Sequence, residues 1–155
     1  MEQIKDIVGL LKITKNGVYE LTNDIDCKGE NLARILVQFN GQINGNGYKI
    51  FNFQLKYILK YDGQKLGIFE NIRKSTIKNI EFICEKIEIS GDYSANVAYL
   101  VCDAYDSLIE NCNFEIKKSN YFDEIPLIYD GVNCDIDKTK YFINNKKSIF
   151  FKFLD

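Results

Sequence analysis

Histidine and tryptophan are absent from this chain, proline occurs once, and arginine is confined to Arg34 and Arg73. Each absence removes a class of chemistry. Without histidine there is no Ser-His-Asp or Cys-His triad, no His-ligated zinc and no histidine pH switch. Lys and Arg number 20 against 22 Asp and Glu, for a formal charge of −2. Nucleic-acid binders carry a basic surplus and planar Arg forks, so no nucleic-acid partner is expected. No run reaches the ~18 apolar residues of a membrane span, and no membrane partner is expected either. The opening Met1-Glu2-Gln3-Ile4-Lys5-Asp6 lacks the basic-then-apolar order of a secretory signal. The five cysteines, Cys27, Cys84, Cys102, Cys112 and Cys134, contain no Cys-x-x-Cys pair. With histidine missing as well, they read as reduced, small apolar core residues, with no metal and no cofactor. A cytoplasmic, reducing compartment is expected.

What is present is a strand-forming chain the size of one domain, 155 residues. Ile4, Ile7, Val8 and Leu11 follow helical spacing, which predicts a short amphipathic helix over about residues 2–12 within an N-terminal cap, 1–16. Asn16-Gly17 stops it. Afterwards short runs rich in Ile, Phe, Tyr and Val alternate with Gly, Asn, Asp and Lys, and 22 Ile against 12 Leu favour the pleated sheet.

The chain repeats itself. Ile77-Lys78-Asn79-Ile80-Glu81-Phe82 reappears 32 residues later as Ile109-Glu110-Asn111-Cys112-Asn113-Phe114. The same offset pairs Ile68 with Leu100, Phe69 with Val101 and Ser75 with Ser107. A third copy, Ile50-Phe51-Asn52-Phe53-Gln54-Leu55, lies 27 residues before the first, and a weaker fourth, Leu21-Thr22-Asn23-Asp24-Ile25, 29 before that. Such a period predicts a short right-handed parallel β-helix in which inward apolar residues stack from coil to coil. At 27–32 residues per coil, 155 residues allow about five coils. The recurring Asn52, Asn79 and Asn111 are expected at corners, where asparagine tolerates left-handed geometry and its amide bonds the backbone. Gly45 and Gly47, inside Gly41-Gln42-Ile43-Asn44-Gly45-Asn46-Gly47, read as tight-turn residues. That stretch lacks the Gly-Lys-Ser/Thr ending and following helix of a phosphate loop.

Gly17-Val18-Tyr19-Glu20-Leu21-Thr22-Asn23-Asp24-Ile25-Asp26 resembles the "Y-x-L-x-x-D-I-D" opening of bacterial β-helix proteins with GLUG repeats. Phe39 to Ile50 is similar to their "F-x-G-x-(I/F)-(D/N)-G-N-G-(Y/H)-x-I" turn. Leu66-Gly67-Ile68-Phe69-Glu70 with Thr76-Ile77-Lys78-Asn79-Ile80 looks like the repeat proper, and Val97 to Phe114 resembles its variant. At Tyr99-Leu100-Val101 this chain departs from the glycine of that repeat. The resemblance implies one β-solenoid domain over 1–155, with GLUG-like coils over 17–116. Its relatives are mostly segments of large secreted or surface-displayed proteins. Residues 117–155 lack the motif and read as a terminal coil and cap. Pro126 suits a strand start there, and Ser148-Ile149-Phe150-Phe151-Lys152-Phe153-Leu154 is apolar enough to need burial.

Paired carboxylates are the catalytic device to look for on a β-helix. Asp24 with Asp26, Asp103 with Asp106 and Asp123 with Glu124 are the candidates, and each reads as an ordinary turn acid; no catalytic residue is assigned. The 10 Tyr and 11 Phe are more informative. Tyr57, Tyr61, Tyr93, Tyr105, Tyr121 and Phe122 stand in polar stretches, where aromatics with a polar tip suit a protein interface. The expected function is therefore a non-enzymatic, intracellular protein-binding module. A bacterial or phage inhibitor fits this size, either an immunity protein neutralising a toxin or an anti-defence protein blocking a host enzyme by surface complementarity. The alternatives are a structural or adhesive β-helix module and a small carbohydrate-active enzyme. A homodimer through a solenoid end is a further expectation.

Overall fold

The computed structural model describes all 155 residues. Strand makes up 53% and helix 3% of the chain, which places it in the all-β class. β1 (Glu2–Ile4) and the single-turn α1 (Ile7–Leu10) come first, then β2 (Val18–Leu21), β3 (Ile25–Asp26) and β4 (Leu36–Phe39). Three consecutive turns of solenoid follow. They comprise β5 (Gln42–Asn44), β6 (Lys49–Ile58), β7 (Gln64–Leu66) and β8 (Phe69–Arg73); β9 (Thr76–Lys78), β10 (Glu81–Ser90), β11 (Ala95–Val97) and β12 (Val101–Tyr105); and β13 (Leu108–Glu110), β14 (Asn113–Ile116) and β15 (Ile128–Val132). β16 (Asp135–Asp137), β17 (Lys140–Ile143), β18 (Lys146–Lys147) and β19 (Phe151–Leu154) complete the chain.

Sheet A runs β1-β2-β5-β9-β13-β16, sheet B β3-β6-β10-β14-β17-β18 and sheet C β4-β8-β12-β15-β19, with β7-β11 as a short fourth. Every pair of neighbours is parallel except the antiparallel β17–β18 hairpin. This makes the protein a parallel β-solenoid.

The sheets exist because apolar residues recur where the neighbouring coil needs them. In sheet A the column is Tyr19, Ile43, Ile77, Ile109, Ile136. In sheet B it is Ile25, Ile50, Phe82, Phe114, Tyr141. In sheet C it is Leu36, Phe69, Val101, Ile128, Phe151. Phe82 and Phe114 stack at 5.2 Å and Phe39 and Phe69 at 5.3 Å. Burying each such side chain contributes about 1.5–3 kcal/mol, which a lone coil cannot collect. Two buried tyrosines tie coils together across this interior. The Tyr99 hydroxyl lies 3.2 Å from the Phe82 carbonyl and 3.1 Å from that of Glu115. Tyr141 donates to the Ile125 carbonyl at 2.6 Å.

Corners carry the left-handed residues. Asn79 (φ 57°) and Asn111 (φ 51°) turn the chain from sheet A to sheet B. Their amides form a ladder: Asn111 Nδ2 donates to Asn79 Oδ1 at 2.9 Å, and Asn79 Nδ2 to Asn44 Oδ1 at 3.1 Å. Gly45-Asn46-Gly47 occupies the same corner one coil earlier, the Gly47 N–H donating to the Asn79 carbonyl at 2.8 Å. Gly47 has φ +85°, whereas Gly45 is required for another reason. A Cβ there would lie 2.4 Å from Ile80 Cβ and 2.5 Å from the Asn79 carbonyl oxygen.

Three sequence expectations need correction. Residues 2–12 do not form one helix: Glu2–Ile4 is a strand on the edge of sheet A, paired Ile4 with Leu21, and the helix is four residues long. Asp6 starts it, its carboxylate accepting the Gly9 N–H at 2.9 Å. A free sheet edge satisfies three residues of backbone, whereas an isolated helix of this length with a central glycine is marginal. Asn52 does not share the corner of Asn79 and Asn111. Ile50 pairs with Phe82, an offset of 32 rather than 27, so Asn52 falls inside β6 as a left-handed bulge (φ 57°). Its amide donates to Asp26 Oδ1 at 2.9 Å. Beyond residue 116, where the motif is missing, β15, β16 and β17 continue sheets C, A and B as a further coil. The terminal apolar run is not fully covered: Phe150 and Phe151 are partly buried, while Phe153 and Leu154 are about half exposed.

Substituting Gly45→Ala is expected to cost about 2 kcal/mol, because backbone of the next coil must move. Gly47→Ala, which meets open space but a positive φ, is expected to cost about 1 kcal/mol. Urea midpoints of the two variants check the order; a Gly47→Ala variant less stable than Gly45→Ala contradicts the corner geometry.

Candidate protein-binding edge

The corner between sheets B and C is built from three loops lying one above another, residues 59–63, 91–94 and 117–127. Their backbones are tied together. The Leu59 N–H donates to the Ser90 carbonyl at 2.8 Å and the Gly63 N–H to that of Ser94 at 2.9 Å. The Ser94 N–H donates to Asp62 Oδ1 at 2.9 Å. One coil on, Asn120 brackets Ile89, accepting its N–H at 2.8 Å and donating to its carbonyl at 3.1 Å. Loop rigidity here comes from the stack itself.

Along this edge stand Ile58, 65% exposed, Tyr61, 58%, Tyr93, 47%, and Phe122, 92%. Tyr121 is partly buried, its ring 4.9 Å from that of Phe122. Four of the six aromatics singled out from the sequence, Tyr61, Tyr93, Tyr121 and Phe122, are thus brought to one edge. Tyr57 is not among them. It is 5% exposed, its ring is part of the core, and its hydroxyl has no hydrogen-bond partner. The polar residues around it in sequence face outward while Tyr57 itself takes the inward position of β6, opposite Ile89. Tyr105 lies elsewhere, at the far end of β12, beneath the Arg73 guanidinium 4.7 Å from its ring. Ile58 escaped the sequence reading because only the register of β6 shows that it points outward.

The candidate acids do not converge. Asp24 Oδ1 accepts the Lys49 N–H at 3.1 Å, and Asp123 Oδ1 that of Glu124 at 2.8 Å. Asp26 accepts the Lys28 N–H and the Asn52 amide, each at 2.9 Å, and the Lys28 bond first among these holds its carboxyl below the ordinary value. Asp106 accepts from Asn133 at 2.8 Å. Asp103, on sheet C, is ion-paired with Lys65, whose ammonium is held above its ordinary value by that hydrogen bond. The acid that does stand beside Asp103 is Asp130, its register partner on β15. Sequence alone hid this neighbour, because the two are 27 residues apart in a chain whose clearest offset is 32.

No cluster of three or more Cys, Asp or Glu side chains has metal-holding geometry. All five thiols are buried and unbridged. Burial pushes Cys27, Cys84 and Cys102 up to about 12 and Cys112 to about 11, from an ordinary 9.0; Cys134 is raised as well. No helix is long and apolar enough to cross a membrane. No protein-family model, curated protein or solved structure matches the chain.

The thiol burial has two measurable consequences. Under native conditions a thiol reagent is expected to label the cysteines slowly, all five reacting once the chain is denatured; fast native labelling at neutral pH contradicts the packed interior. Stability is also expected to fall as pH rises from about 9 towards 12. In that window the unfolded chain gives up thiol protons that the folded chain retains, so the folded state binds more protons and its advantage shrinks. Urea midpoints taken across that range test the sign.

Proposed function

We propose that this chain is a non-enzymatic protein-binding module on a GLUG-like, right-handed β-helix, acting in the cytoplasm as a bacterial or phage inhibitor. Counting each passage through sheets A, B and C as a coil supports about five coils, with α1 and β1 closing one end and the β17–β18 hairpin the other. The observation that carries the function is the stacked edge bearing Ile58, Tyr61 and Tyr93. Large side chains exposed on a backbone held by the neighbouring coils lose little freedom on docking, which is the condition for affinity from surface complementarity. A toxin or a host defence enzyme is the class of partner such an inhibitor engages.

The test is recovery of a stoichiometric partner from the native host, followed by titration. Wild-type protein is expected to bind it, and the double variant Tyr61→Ala/Tyr93→Ala to bind about a hundredfold more weakly with an unchanged thermal midpoint. No stoichiometric partner, or one held equally by the double variant, overturns the reading.

A second reading, a small carbohydrate-active β-helix, draws on Asp103 and Asp130. As register partners on adjacent parallel strands they stand on neighbouring rungs of sheet C, their backbones about 5 Å apart, and paired carboxylates are the catalytic device of glycosidases. The ion pair of Lys65 with Asp103 weighs against a free nucleophile there. Turnover of a glycan or polyuronate that disappears in Asp103→Asn is the result that favours this reading over the first.

A further inference from the structure

Beside the aromatic edge, between the 117–127 loop and the β17–β18 hairpin, lies an open groove of about 520 Å³. Its apolar lining comes from Tyr121, Ile125, Ile143 and Ile149, and Phe122 stands on its rim, 92% exposed. The walls differ in charge. One carries Asp123 and Glu124, the other Lys146 and Lys147, and none of these four has an ion-pair partner within the chain. Both walls are held in place. Tyr141 and Ser148 of the hairpin side donate to the Ile125 carbonyl at 2.6 and 3.5 Å. Asn144 and Asn145, both left-handed (φ 50° and 63°), set the hairpin turn.

From this arrangement we propose that the groove is the interface of a two-fold homodimer in which Phe122 of each chain enters the groove of the other. The charge pattern selects a second copy as occupant. A two-fold axis through the groove sets the acidic wall of each chain against the basic wall of its mate, satisfying four otherwise unpaired charges twice over. The contact is isologous and therefore closes at two chains, unlike stacking through the free sheet edges, which propagates. None of Ile58, Tyr61 and Tyr93 lines the groove, and the dimer does not depend on the proposed inhibitor role.

Sedimentation of the full chain at about 100 μM is expected to give a species of twice the 18.0 kDa of one chain, dissociating as salt is raised. Phe122→Ser is expected to weaken it at least about tenfold while keeping the thermal midpoint that the wild type shows when diluted to monomer, and Tyr61→Ala/Tyr93→Ala to leave it intact. Asp123→Lys/Glu124→Lys and Lys146→Glu/Lys147→Glu are each expected to be monomeric alone and to form a dimer when mixed in equal amounts. Rescue on mixing requires both chains to be folded, so it separates interface loss from misfolding. A wild-type monomer at that concentration, a dimer indifferent to Phe122→Ser, variants that do not pair on mixing, or assembly growing beyond two chains overturns the proposal.

Discussion

The structure depends on one constraint: each inward apolar side chain must find its cover in the coil before and the coil after it. Ile77 of sheet A is covered by Ile43 and Ile109, and Phe82 of sheet B by Ile50 and Phe114. Burial is therefore shared between coils instead of being completed within one, and stability grows with the number of stacked neighbours. The corners answer to the same demand. A coil can place its columns correctly only if it turns at a fixed residue, and the left-handed Asn79 and Asn111, with the close passage of Gly45 under Ile80, hold the turn in step. Where the count changes, as at Asn52 and Glu85, the strands absorb it as bulges and the columns recover beyond them.

This constraint also shapes the surface. Because inward positions are committed to stacking, large side chains left outside the columns fall on the loops between strands, as Tyr61, Tyr93 and Phe122 do. Their aromatics stand on backbone fixed by the coils on either side, so an exposed aromatic edge arises with no element of its own. The groove beside it has the same origin. It opens where the 117–127 loop leaves sheet B and the hairpin folds back over the sheet's edge, both pinned through the Ile125 carbonyl.

The fold was legible wherever the repeat kept its length. The 32-residue offset that pairs Ile77 with Ile109 and Phe69 with Val101 in the sequence is the register of the sheets. It became illegible where corners differ in length. Gly45-Asn46-Gly47 does with three residues what Asn79 does with one, so an alignment on asparagine sets Asn52 at a corner when it belongs to a strand. Beyond residue 116 the coils keep the apolar columns but not the Asn motif, because Lys138 takes the left-handed place there (φ 48°). Of the candidate edge, the exposed Tyr61, Tyr93 and Phe122 could be chosen from polar surroundings. The buried Tyr57 could not be told from them, since one strand alternates between faces and polar neighbours say nothing about which face a given residue takes.

Composition and periodicity, then, determined by themselves that this protein is an all-β stack with reduced interior cysteines and without histidine chemistry, because those properties follow from residue type and spacing alone. Only the tertiary structure decided which coil neighbours which at Ile50, that Glu2–Ile4 joins a sheet, that Asp130 stands beside Asp103, and that two charged walls face each other across an apolar groove. Each of these depends on contacts between residues far apart in the chain, and register between coils, not local preference, sets them.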